Sequence, residues 1–207
     1  MARHTNSRVS RGKVMLTLAV VAAGATVVGA GTYASFTASA VGGPLTVSSG
    51  TVALSIPAAG ANNRMTIGAT GLVPGDTMQR AFDLTNASGN ESLASITLTT
   101  TASPSSLLDS DATNGLQLVI DKCSVAWTES GPPYTYTCGG TTTSVLTTRA
   151  VIGSTIALSN LSALNPNNTD RLRATLSFPS AAGNTLQNLS STITFTFNGT
   201  QRAGTAK

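Results

Sequence analysis

Beyond residue 4 the chain contains no histidine. That removes imidazole as a general base, and with it Ser-His-Asp and Cys-His nucleophilic arrangements. It removes every histidine-containing zinc motif as well, HExxH included. Charged residues make up only 10% of the sequence and aromatics 4%. The two cysteines, Cys123 and Cys138, have fourteen residues between them, which is not the spacing of a CxxC redox or metal pair. No glycine-rich stretch has phosphate-loop spacing; Val41-Gly42-Gly43-Pro44 reads as flexible punctuation. Of the acidic residues only Asp109 and Asp111 are close in sequence. Their loop, Leu108 to Gly115, resembles a calcium-binding turn but lacks the terminal Glu of an EF-hand, and a solvated turn is its simpler reading.

The first thirty-odd residues differ in kind from the rest. Arg3, His4, Arg8, Arg11 and Lys13 precede an apolar, small-residue run from Val14 to Ala30, and Gly31-Thr32-Tyr33-Ala34-Ser35 follows. A basic n-region, apolar h-region and small-residue exit are the parts of a secretory signal, with Ala34 and Ser35 flanking the cut. The competing reading is an uncleaved membrane anchor. The run is shorter than the roughly 20 residues that a spanning helix needs, so the expected division is a signal peptide at 1–34 and a mature domain at 35–207.

Cleavage changes the charge argument. Four of the 12 Lys and Arg residues lie before the cut, which leaves eight basic against eight acidic residues in the mature chain. The basic balance belongs to the export signal. Nothing clustered remains to recruit nucleic acid or to hold the mature chain in or on a membrane, and a neutral, charge-poor surface lacks the repulsion that opposes self-association.

The mature region is rich in Thr, Ser, Val, Leu and Ala, a composition suited to strands. Apolar and polar residues alternate along Arg171–Phe178, Ile193–Phe197 and Met78–Leu84, each marking a half-buried strand; in the last, Arg80 shares the face of Phe82 and Leu84. Weaker strands are expected at Leu45–Val47, Val52–Ile56, Met65–Ile67, Ser95–Thr100, Leu116–Cys123, Tyr134–Cys138, Val145–Thr147 and Ile156–Leu158. Turn signals such as Pro74-Gly75-Asp76 and Asn165-Pro166-Asn167 separate them. One helical turn is expected at Ser103–Ser110, capped by Ser103. The predicted fold is all-β: a single β-sandwich of jelly-roll type.

In an exported chain an even pair of cysteines reads as a disulfide. A Cys123–Cys138 bond would close a loop of about 15 residues and contribute on the order of 3 kcal/mol. The enclosed segment reads as a hairpin turning at Gly131-Pro132-Pro133. Its Trp127 is either a recognition aromatic or, more simply, a cover over one end of the core.

Three passages carry a family resemblance. Gly31-Thr32-Tyr33-Ala34-Ser35-Phe36 resembles the junction cut by SipW-type signal peptidases. Gly71-Leu72-Val73-Pro74-Gly75-Asp76, leading to Leu84-Thr85-Asn86, is similar to an "L-x-P-G-D … N" passage. The stretch from Leu176-Ser177-Phe178-Pro179 through Asn184, Gln187 and Phe195-Thr196-Phe197 to Gln201 is similar to a closing "F-P … N … Q … F-x-F … Q" pattern. Together they resemble the TasA/camelysin family of exported β-sandwich proteins. The resemblance implies a SipW-type signal peptidase as export partner and an extracellular or cell-surface protein that self-associates into matrix fibres. It also brings a metallopeptidase label, which the lack of histidine in the mature chain opposes.

From the residues, no catalytic group, metal site or cofactor is expected. The segment Ser35–Ile56, with Phe36, Leu45, Val47, Val52, Leu54 and Ile56 on a glycine-containing lead, is expected either to act as a donor strand for a neighbouring copy or to pair within its own domain as an ordinary first strand. No sortase-type motif or second apolar run is seen near Lys207, so attachment through assembly is favoured over anchoring. The alternative function is a carbohydrate- or surface-binding module that uses Trp127 and Tyr134; a camelysin-type metalloendopeptidase is the third.

Overall fold

The computed structural model describes residues 37–41, 53–66 and 71–203, the first of these by backbone alone. The signal peptide, the Ala34–Ser35 junction, and Phe36, Leu45, Val47 and Val52 lie outside the described residues. Among the described residues eleven strands run in chain order: β1 (Thr37–Val41), β2 (Leu54–Ser55), β3 (Thr77–Asn86), β4 (Leu93–Ala102), β5 (Gln117–Cys123), β6 (Trp127–Ser130), β7 (Thr135–Cys138), β8 (Thr142–Ala150), β9 (Gly153–Ala157), β10 (Asn168–Ser177) and β11 (Ile193–Gln201). A single helical turn, α1 (Leu107–Ser110), lies between β4 and β5.

The alternating segments form the longest ladders, because one apolar face fixes the register over many residues. In β10, Leu172, Ala174 and Leu176 face inward, flanked by β3 over ten pairs and by β5 over seven. In β11, Phe195 and Phe197 face inward between β1 and β4. All pairings are antiparallel, and two sheets result, ordered β1-β11-β4-β9 and β2-β3-β10-β5-β8. Successive strands pass from one sheet to the other except at β2–β3 and β5–β8, which is the winding of a jelly roll. The layers meet at Phe82 and Phe197, whose ring centroids are 5.3 Å apart. Around that pair Leu84, Leu98, Leu118, Ile120 and Leu172 are fully enclosed.

The two outward faces differ. On the four-stranded sheet, Thr101 faces Thr194, Thr99 faces Thr196 and Thr97 faces Asn198, an uncharged ladder. On the five-stranded sheet a two-stranded hairpin, β6–β7, lies over β3, β10 and β5.

Several sequence expectations need correction. Of the strand expected at Met65–Ile67, Met65 and Thr66 form a turn and Ile67 lies outside the described residues; it is the preceding stretch, Gly60–Arg64, that runs beside β3. Within the described part of Val52–Ile56 only Leu54–Ser55 pairs, while β6 forms where no strand was expected and β1 falls within the expected donor segment Ser35–Ile56, ahead of its individual strand candidates. The helix begins three residues later than expected. Its cap is Ser106, not Ser103, because Ser106 and Asp109 close a capping box: the Ser106 hydroxyl takes the Leu108 N–H and the Asp109 carboxylate takes the Ser106 N–H.

Candidate functional site

Two regions bear on function: the edge where β1 adds to the sandwich, and the hairpin over the opposite sheet. The first rests on backbone geometry. β1 lies at the edge of its sheet and pairs with β11 from Thr37↔Thr200 to Val41↔Thr196. Leu54 and Ile56, expected on a donor strand, are buried in the core, Leu54 beside β3 in the other sheet. Displacing them would open the core, so only residues ahead of them are free to exchange.

The hairpin is built around the Cys123–Cys138 disulfide, whose Cα atoms are 5.7 Å apart. It joins the end of β5 to the end of β7, and β6 returns against β7 from Trp127↔Cys138 to Ser130↔Thr135. Gly131 turns the chain at φ 121°, where a Cβ would sit 1.9 Å from the Pro133 carbonyl oxygen; only glycine fits. Polar contacts seat the hairpin on the sheet. The Gln79 side chain accepts the Tyr136 N–H at 3.0 Å, Arg173 donates to the Tyr136 carbonyl at 3.2 Å, and the Trp127 indole donates to the Arg171 carbonyl at 2.9 Å. Arg173 lies under the Trp127 ring at 4.5 Å and pairs with Asp121 at 2.8 Å. Trp127 is therefore half-buried on the outside of the sheet and does not cover the end of the core.

Tyr134 does not join Trp127 in a platform. Its ring stands against Arg64 and Arg80, at 5.1 and 5.6 Å. Arg64 grips Glu129 with two hydrogen bonds of 2.7 and 2.8 Å, which hold the Glu129 carboxyl below its usual range. Tyr136 donates its hydroxyl to Glu129 at 2.9 Å; burial, reinforced by that bond, pushes its pKa up to about 12.

Between the hairpin and the strap Gly60–Arg64 lies a cleft of about 190 Å³, lined by Asn62, Asp83, Trp127, Tyr136 and Arg171 among others. The strap is pinned from below. Asn63 is fully buried, donates to the Pro57 carbonyl at 2.8 Å and accepts the Met65 N–H at 3.1 Å. Two further bonds, Arg64 N–H to Ala81 and Asp83 N–H to Asn62, both 2.9 Å, fasten the strap to β3. Asp83 and Arg171 are cross-strand partners. Burial raises the Asp83 pKa, with Arg171 partly offsetting it.

A larger groove of about 490 Å³ beside α1 contains Asp109, the one charged group in its lining. That carboxylate is already engaged. Ser105 donates to it at 2.8 Å, the Ser106 N–H at 2.7 Å, and Ser191 through its hydroxyl. Burial pushes its pKa up, but those bonds prevail and hold it below the ordinary value. Asp111 instead takes the N–H groups of Thr113 and Asn114, both at 2.9 Å. The two carboxylates thus close separate turns and do not converge as a calcium site would require.

The fold is a two-layer jelly roll with one outward face covered by a cystine hairpin. The profile of the family described as camelysin metallo-endopeptidase matches residues 10–206, and the chain belongs to that family. A search of curated proteins returns no match.

The family description implies a metal, and the donor set argues against one. A catalytic zinc takes three protein ligands and leaves a position open. Among the described residues no three His, Cys, Asp or Glu side chains stand together. Both cysteines are consumed by the disulfide. Asp121, Glu129, Asp170 and Glu91 are paired with Arg173, Arg64, Lys122 and Arg202, and Asp76 accepts the Val73 N–H. Among the described residues, these side chains do not fit a metalloprotease centre.

Proposed function

We propose that the chain is exported, cut between Ala34 and Ser35 by a SipW-type peptidase, and serves without enzymatic activity as a subunit of extracellular or cell-surface fibres. The observation that carries this reading is the place of β1. Among the described strands it pairs with β11 only and lies at the edge of its sheet, and the cut would leave it two residues from the new N-terminus. A terminal edge strand has one tether, here residues 42–53 with Gly42, Gly43 and Gly50. A neighbour's β1 can make the same backbone hydrogen bonds to β11, with alternate positions setting specificity. Such an exchange is head-to-tail and need not close, so it propagates into a filament. Neutrality of the mature chain works in the same direction.

The test is deletion of Ser35–Gly43 from the mature protein, followed by electron microscopy and size-exclusion chromatography. The full mature chain should give regular filaments, and the truncated chain a folded, soluble domain with none. Normal polymerisation of the truncated chain refutes the exchange.

A further inference from the structure

We infer that the cleft between the strap and the cystine hairpin is a binding site for a single sugar ring of a neutral polysaccharide. This inference is independent of filament formation, because the cleft and β1 belong to different sheets.

Three observations lead to it. The Asp83 carboxylate is half-buried yet accepts no hydrogen bond from any described residue; Arg171 acts on it through space, without closing a salt bridge. Every other carboxylate of the chain has a partner, as set out above. A carboxylate set apart this way, in a lined cleft, is a candidate ligand-binding group.

Next, the remaining lining supplies complementary groups. Arg171 is exposed and lies directly across the strand pair from Asp83. Asn62 adds a carboxamide that both donates and accepts, held at the rim by its buried neighbour Asn63. Trp127 and Tyr136 form the hairpin side of the cleft. Acceptor, donor and aromatic surface therefore border one space.

Charge and size then narrow the occupant. A bound anion would meet Asp83 and a bound cation would meet Arg171, so neither is favoured. A neutral polyol with a C–H face satisfies all parts: hydroxyls donate to Asp83 and accept from Arg171 and Asn62, while the ring packs on the indole. At about 190 Å³ the cleft is smaller than the ~300–1,000 Å³ of sites for drug-sized ligands and suits one ring. At about 0.3 kcal/mol per non-hydrogen atom, the roughly 12 such atoms of one sugar ring give a dissociation constant on the order of millimolar.

Trp127 is the only tryptophan of the chain, so its fluorescence reports on this cleft. Mature protein (residues 35–207) is titrated to 100 mM with methyl α-D-mannoside, methyl β-D-glucoside and N-acetylglucosamine, and co-sedimented with insoluble cellulose, chitin and mannan. At least one sugar should give a saturable emission shift. Asp83→Asn and Arg171→Gln should each weaken it tenfold or more while the disulfide forms and the melt stays cooperative with Tm not lowered, whereas Thr99→Ser, on the opposite sheet, should not. The inference is overturned if none of the three sugars shifts the emission and none of the polysaccharides sediments the protein. It is equally overturned if binding survives both cleft substitutions unchanged.

Discussion

Replacing the disulfide by Cys123→Ala with Cys138→Ala separates what the covalent bond does from what the hairpin's own contacts do. The bond spans 15 residues, and constraining a loop of that length in the unfolded chain contributes about 3 kcal/mol. For a domain of this size each kcal/mol moves Tm by about 2–4 °C, so the variant should melt about 6–12 °C lower. Alanine is chosen because Cys123 is buried, and a serine there would add the cost of an enclosed hydroxyl. The hairpin should nevertheless remain docked at 25 °C. The two-bond Arg64–Glu129 contact, the Gln79 and Arg173 bonds to the Tyr136 backbone and the buried Tyr136 ring all persist without the sulfurs. Calorimetry gives the shift, and Trp127 emission, followed through the same melt, reports the seat of the hairpin. A Tm within 2 °C of the parent would refute the entropic argument. Fully solvated Trp127 emission at 25 °C would refute the claim that the noncovalent contacts suffice.

Phe197→Ala removes a fully buried ring from the contact with Phe82 that joins the layers; a loss of about 3–5 kcal/mol is expected in urea denaturation, and a loss under 1 kcal/mol would show that the layers are not held there. Tyr136 has its pKa raised to about 12, so its contribution is complete below the unfolded value near 10 and is lost as pH rises through the folded one. Spectrophotometric titration should find a tyrosine ionising near 12 that is absent from Tyr136→Phe, with stability falling across that interval, and the substitution should flatten the fall. Asp83→Asn should raise Tm at neutral pH, because burial disfavours the ionised carboxylate. The gain should shrink as pH falls through the raised folded pKa, where protonation relieves the same penalty; a lower Tm at pH 7 would contradict this reading of the group.

What the sequence displays is the part of the fold governed by period. Arg171–Phe178 and Ile193–Phe197 have a strict alternation that only a half-buried strand satisfies, and they became the central ladders β10 and β11. β1 was not singled out within the donor segment because Ala38 and Ala40 have too little side chain to mark a face, and β6 escaped notice because Thr128 and Ser130 alternate with one aromatic and one acid. The displaced helix cap was legible in principle, since Ser106 precedes Asp109 by the capping-box spacing, but Pro104 drew the boundary toward Ser103. The cleft was not legible. Asp83 and Arg171 lie 88 positions apart, and only the β3–β10 register sets them face to face. The disulfide required no such register, because pairing two cysteines leaves a single choice.

The hairpin and the edge strand belong to opposite layers, one over the five-stranded sheet and the other on the rim of the four-stranded sheet. An added neighbour at β11 therefore need not cover the cleft, and every subunit in a row would present its own. Binding that is millimolar for one subunit then becomes multivalent. Sites tethered at fixed spacing can exceed single-site affinity by roughly 10²–10⁴ where a polymer spans several at once. A free subunit would let go of a polysaccharide strand within its short residence time, while a filament would hold it, so polymerisation itself would act as the switch between passing through a glycan matrix and becoming part of it.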